Sequence, residues 1–124
     1  MTVPRLDTRL PVYEGTAQRV LAKGPGHYRG TSLPGQAGTV AIAGHRVTHT
    51  HPFLKINLIR RGDVIVMTTR RGTFRYRVNA MHVVLPTATW VLFRGRKLQR
   101  LVLTACHPPH SSRYRYVVMA TRIP

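Results

Sequence analysis

Carboxylates are nearly absent from this chain: Asp7, Glu14 and Asp63 are the only acidic residues among 124. A mechanism built on paired carboxylates would have to recruit residues far apart in sequence. A calcium or magnesium cage is equally hard to assemble from three scattered acids. Cysteine is scarcer still, and Cys106 alone can form neither an internal disulfide nor a multi-cysteine zinc motif. No apolar run approaches the roughly 20 residues of a transmembrane helix. No polar low-complexity tract points to disorder. Met1 leads directly into Pro4, Arg5 and Asp7, with no apolar leader, so the expectation is a cytosolic protein or a soluble piece of a longer one.

What the chain does have is positive charge. Lysine and arginine total 20 and the formal net charge is +17; only Lys23, Lys55 and Lys97 are lysines. Charge of that size points first to polyanionic partners. An apolar fraction of 43% in 124 residues is enough for one domain with one core.

Turn signals are dense: Gly24-Pro25-Gly26, Leu33-Pro34-Gly35, Arg61-Gly62-Asp63 and Arg71-Gly72. Between them lie runs of period two. In Thr73-Phe74-Arg75-Tyr76-Arg77-Val78 the apolar side chains fall on one face and the arginines on the other. Residues 39–43, 64–69, 83–85, 91–93, 101–105 and 116–121 are further β-branched or aromatic runs. Arg71-Gly72 between two runs reads as a tight hairpin. Helical pattern is confined to residues 52–59, room for one or two turns. Many short strands with close turns predict a mainly β fold, an antiparallel barrel or sandwich. Residues 1–11 are expected to be a loosely held tail and 12–124 the domain.

Cys106 closes the apolar run Leu101-Val102-Leu103-Thr104-Ala105 and is followed by His107-Pro108-Pro109. A thiol at a strand end beside a proline-rich loop sits where a scaffold displays a functional group, although a core cysteine ending a strand has the same signature. Arg115 lies nine residues on (115 − 106 = 9), at the start of the next strand run, so the two could face each other across a hairpin. An arginine there could donate to a developing oxyanion. His45, in Ala43-Gly44-His45-Arg46, ends another strand run, and a histidine near a thiol can act as its acid or base.

Taken together, Leu33-Pro34-Gly35-Gln36, Ala41-Ile42-Ala43-Gly44-His45-Arg46, Pro52-Phe53, Gly62-Asp63 and Leu103-Thr104-Ala105-Cys106-His107-Pro108 resemble the sortase family of cysteine transpeptidases, class E above all. The match runs on through Ser111-Ser112 to Arg115. The resemblance implies a closed eight-stranded sortase-type β-barrel with one or two short helical turns, and no cofactor or metal. It implies that Cys106 attacks a backbone carbonyl of an LPXTG- or LAXTG-like sorting signal and forms a thioester. His45 would then protonate the leaving amine and Arg115 stabilise the oxyanion, before a primary amine of a peptidoglycan precursor or pilin resolves the intermediate. Ala43, His49, Thr104, Ala105, His107 and Arg113 are the expected substrate contacts. The implied location is the extracytoplasmic face of a bacterial membrane, through an anchor this chain does not contain, with no nucleic-acid partner.

Two departures from the family pattern stand out. Ala105 occupies a position where sortases usually carry threonine, and Thr48-His49-Thr50-His51 replaces an aromatic residue often found after the histidine in class E. Two other readings compete. His49, His51, Cys106, His107 and His110 could supply zinc ligands, though without the spacing of an established motif. Arg75 and Arg77 beside Phe74 and Tyr76, with Arg113-Tyr114-Arg115-Tyr116, could bind single-stranded nucleic acid on a small basic barrel. Under the sortase reading, most of the arginines would instead serve a domain working beside anionic envelope polymers and lipid headgroups.

Overall fold

The computed structural model describes residues 1–46, 52–88, 98–107 and 113–124. Its strands are β1 (Thr2–Val3), β2 (Thr8–Arg9), β3 (Tyr13–Glu14), β4 (Gly26–His27), β5 (Gly38–Ala43), β6 (Val64–Thr69), β7 (Gly72–Val84), β8 (Gln99–His107) and β9 (Tyr114–Ile123). Helix is limited to α1 (Gln18–Leu21) and the 3-10 turns Pro4–Leu6 and Ile56–Leu58. The nine strands form one curled sheet in the order β2-β1-β6-β7-β9-β8-β5-β4-β3.

Alternation dictates the core. Ile65 and Met67 on β6, Tyr76 and Val78 on β7, Leu101, Leu103 and Ala105 on β8, Val118 and Ala120 on β9, and Val40 and Ile42 on β5 all turn inward. Phe53, Ile56 and Ile59, from the segment read as one or two helical turns, fill the open end of the curl. Every residue of β5 is buried, as suits a strand paired on both sides, with β8 and with β4. On the convex side a smaller cluster, Val102, Val117 and Met119, packs with Ala80 and Val84.

Four expectations need correction. The strand count among the described residues is nine, in a sheet with β2 and β3 at its edges, where a closed eight-stranded barrel was expected. Two-residue strands such as β1 to β4 carry no readable period, so they escape a pattern search. Next, residues 73–78 and 83–84 belong to one 13-residue strand, Gly72–Val84, continued through a bulge between Val78 and Ala80, and Leu85 lies beyond it. The hairpin before it turns at Arg70-Arg71, since Thr69 already pairs with Gly72.

The N-terminal residues are no loose tail either. Thr2 pairs with Val66, and Val3 is in the core. Arg5 donates two hydrogen bonds to Asp63, at 3.0 and 2.9 Å, and the Arg60 amide donates a third at 2.8 Å. Those contacts, the Arg5 bonds first, hold the Asp63 carboxyl below the usual aspartate range. The run at 91–93 lies outside the described residues. Among the described residues no helix is long and apolar enough to cross a membrane.

Candidate active site

Three neighbouring strands converge on the end of β8. β8 and β9 pair antiparallel with Cys106 directly opposite Arg115, so the two side chains share a face with Cβ atoms about 5 Å apart. On the other side β5 runs parallel to β8, with Ala43 level with Thr104. The ladder continues one step further, the Gly44 amide donating to the Thr104 carbonyl at 3.1 Å. His45 follows Ala43 by two residues, as Cys106 follows Thr104 by two. The thiol is half-buried, as are His45 and Arg115.

The path into His45 is tightly set. A Cβ built on Gly44 would lie 2.6 Å from Cδ2 of Phe53 and 2.9 Å from its Cγ, so the Phe53 ring occupies the space any larger residue would need. Phe53 in turn donates its amide to the His45 carbonyl at 3.0 Å. A core ring and a main-chain bond therefore fix the strand end that carries the histidine.

Arg46 braces the same region from below. It is 4% exposed, with Nη2 2.9 Å from Oδ1 of Asn57, and longer contacts of 3.4 Å from Nε to the Leu54 carbonyl and from Nη1 to the Cys106 carbonyl. Its guanidinium also sits 5.7 Å from the Tyr116 ring centroid, within cation–π range. Burial lowers its pKa from the ordinary arginine value, with Tyr116 acting the other way. One side chain thus ties the segment after His45 to the Cys106 main chain and to the 3-10 turn.

The expected substrate contacts divide. Ala43 is buried beside Thr104. The Thr104 hydroxyl is also buried and lies 2.7 Å from the Tyr28 hydroxyl. Ala105 turns into the core, on the face opposite Cys106, so its side chain is not available to a ligand beside the thiol. Arg113 is exposed, its guanidinium 5.8 Å from the Tyr114 ring. His107 ends β8 opposite Tyr114, and His49 lies outside the described residues.

Sequence reasoning missed Tyr28, which reaches Thr104 across 76 residues, and the burial of Arg46. Nothing in the sequence distinguishes that arginine from the other sixteen. The other histidines separate on structure. His27 is buried, with Nδ1 2.8 Å from Glu14, and Nε2 2.9 Å from both the Ser32 carbonyl and the Thr31 hydroxyl, a structural set of partners. It lines a pocket of about 440 Å³ that includes none of His45, Cys106 or Arg115. His82 is exposed on β7. Among the described residues no three His, Cys, Asp or Glu side chains cluster as metal ligands. Of the two stretches read as a stacking platform for nucleic acid, the first fails on orientation: Tyr76 is fully buried and Phe74 packs against the core, with Arg122 4.8 Å from its ring centroid, while Tyr114 and Tyr116 in the second are half-buried.

Comparison with known proteins identifies the family and the fold. The sequence model of the sortase domain matches residues 1–123. The chain is 36% identical over 132 residues to sortase SrtE1 of Streptomyces coelicolor, covering 94% of the chain and 37% of that protein. It is 27% identical over 126 residues to sortase D of Bacillus subtilis, covering 99% of the chain and 62% of that protein. The chain thus spans under two thirds of either curated relative. A lid mutant of sortase A from Corynebacterium diphtheriae superposes with a TM-score of 0.93 at 31% identity, covering 99% of this chain and 68% of that one. A family match over nearly the whole chain makes this chain a member of the sortase family.

Proposed function

We propose that this domain is a cysteine transpeptidase that cleaves an LPXTG- or LAXTG-like sorting signal and passes the acyl group to a primary amine. The observation that supports the proposal is the register around β8, with Arg115 directly opposite Cys106 on one side and, on the other, β5 running parallel with Ala43, two residues before His45, level with Thr104. In this reading the Cys106 thiolate adds to the carbonyl carbon of the scissile amide. The tetrahedral oxyanion is met by the Arg115 guanidinium. Collapse breaks the C–N bond, and His45 gives the departing amine its proton, leaving a thioester on Cys106. A primary amine then adds to that thioester and loses a proton, and the thiolate leaves.

The magnitudes suit those roles. A free thiol is only a few per cent ionised at neutral pH, yet its thiolate is intrinsically very nucleophilic. General acid–base help is worth about two to four powers of ten, and one oxyanion donor about two to three. The sorting signal belongs to a secreted protein and the amine to a peptidoglycan precursor or pilin. The domain works at the extracytoplasmic face of the membrane. Ala43, His49, Thr104, His107 and Arg113 flank the substrate, with position 105 contributing main chain only.

A fluorogenic sorting peptide tests the reaction type. With a primary amine added, the amide-linked product is expected to grow at the expense of the free acid. Free acid alone at every amine concentration would make the enzyme a hydrolase and refute the transferase reading.

A further inference from the structure

Cross-strand register places a set of arginines on the convex face of the sheet, the face that strand alternation also gives to Cys106 and Arg115, with its nearest row about 20 Å from Cys106 along β8. One row across that face reads Arg9 on β2, Thr2 on β1, Val66 on β6, Arg75 on β7 and Ile123 on β9. The next reads Val64 on β6, Arg77 on β7, Thr121 on β9 and Arg100 on β8. Directly paired residues share a face, and the neighbours Val3, Ile65, Met67, Tyr76 and Leu101 all point into the core. Arg9, Arg75 and Arg77 are exposed, as are Arg70 and Arg71 in the turn at the end of β7.

No acidic side chain stands in either row. Asp63 is engaged by Arg5, Glu14 faces His27, and Asp7 lies in the turn between β1 and β2. Arg75 donates one hydrogen bond to the Pro124 carbonyl, a fraction of what a five-donor guanidinium can make. Strand geometry sets the spacing. Arg75 and Arg77 are about 7 Å apart along β7, and Arg9 and Arg75 about 14 Å apart across three strand gaps; Arg100 ends its row with Nε and Nη2 buried and is no part of the exposed array. Guanidinium side chains span such gaps, and each fork matches a phosphate with two parallel hydrogen bonds.

We propose that this convex arginine face is a docking surface for a linear phosphate-bearing polyanion, held through its backbone charge. Shape and side chains favour a thread over a bilayer. A curled sheet meets a plane along one strip only, and between the arginines the rows offer threonine, valine and isoleucine, without the large apolar side chains that insert into an interface. They also offer no aromatic ring to stack a base, since Phe74 and Tyr76 face inward. The surface would hold the domain on an anionic polymer while leaving the Cys106 end open.

The test uses inorganic polyphosphate of defined length, titrated against the protein at several salt concentrations. Two triple variants carry the same loss of charge, from +17 to +14 (17 − 3 = 14). Arg9→Gln/Arg75→Gln/Arg77→Gln removes the face, whereas Arg19→Gln/Lys23→Gln/Arg29→Gln removes exposed charge around α1 and the loop after β4. The face variant is expected to lose at least about tenfold in affinity, and about two units of log–log salt slope at about 0.7 per lost contact. The control is expected to stay near wild type, and both should cleave a sorting peptide at the wild-type rate. Equal losses in the two variants would reduce the effect to diffuse net charge and overturn the proposal. So would wild-type protein that binds anionic vesicles or single-stranded DNA but leaves polyphosphate unbound. Should the triple variant melt early, Arg77→Gln alone is expected to lower the slope by about 0.7, and an unchanged slope would count against the face.

Discussion

Replacing Gly44 by alanine sets two effects of opposite sign against each other. In extended backbone, Gly→Ala normally stabilises by about 0.4–1 kcal/mol, because it restricts the unfolded chain. Here the new methyl would lie 2.6, 2.8 and 2.9 Å from three atoms of the Phe53 ring. Carbon atoms rest about 3.5–4.0 Å apart, so the overlap is close to 1 Å. Phe53 is 1% exposed and packed in the main core, so it has little room to retreat. Overpacking of this kind costs about 1–3 kcal/mol and outweighs the entropy gain. Gly44→Ala is expected to lower stability by about 1–2 kcal/mol in urea unfolding.

A double-mutant cycle isolates the cause. Phe53→Leu alone leaves a cavity and destabilises, but the space it opens accepts the new methyl. Gly44→Ala/Phe53→Leu should therefore be more stable than the sum of the single effects by about 1 kcal/mol or more. Because Phe53 also holds the His45 carbonyl, peptide cleavage by Gly44→Ala should fall further than its folded fraction does. A Gly44→Ala protein as stable as wild type, or strictly additive effects in the cycle, would refute the reasoning.

Three further perturbations follow from contacts at or near the site. Arg46→Lys keeps the charge but can serve only one of the three acceptors now reached by the guanidinium, so a loss of about 2–4 kcal/mol is expected in denaturant unfolding. A change under 0.5 kcal/mol, on the order of one weak hydrogen bond, would deny Arg46 its bracing role. For Asp63 the folded-state pKa is depressed, chiefly by Arg5, so its stabilisation is complete above the unfolded value of about 3.9 and lost as pH falls through the lower folded one. Arg5→Gln should therefore move acid unfolding to higher pH while leaving stability at pH 7 to 9 with the same pH dependence as wild type. Tyr28→Phe leaves the buried Thr104 hydroxyl without its 2.7 Å partner and should cost about 1–3 kcal/mol. Tyr28→Phe/Thr104→Val should recover part of that in thermal melts.

The long elements of this fold were legible because period two is strong where β-branched and aromatic residues alternate. The 64–69 run is β6 to the residue, and the 101–105 run is the middle of β8. β1 to β4 were not, since two residues carry no period and their pairing is set by distant partners such as Val66 and Ala43. The order of His45, Cys106 and Arg115 could be read along the chain, and the hairpin that pairs Cys106 with Arg115 is local, but the parallel pairing that sets β5 beside β8 is one that no local pattern encodes. Ala105 was expected beside the substrate, and strand alternation turns its side chain inward; the general rule was available but the phase was not. Arg46 shows the other limit. Buried arginine is rare, and its burial here depends on Leu54, Asn57, Cys106 and Tyr116 meeting around it, none of them from β5, the strand that leads into it.

Intact-protein mass spectrometry of the enzyme mixed with a sorting peptide, quenched in acid before the amine is added, tests the central claim most directly. The account predicts a single acyl adduct that maps to Cys106, disappears on addition of a primary amine as the amide product forms, and is absent from a folded Cys106→Ala variant. An adduct on another residue, or Cys106→Ala cleaving the peptide at the wild-type rate, would contradict it.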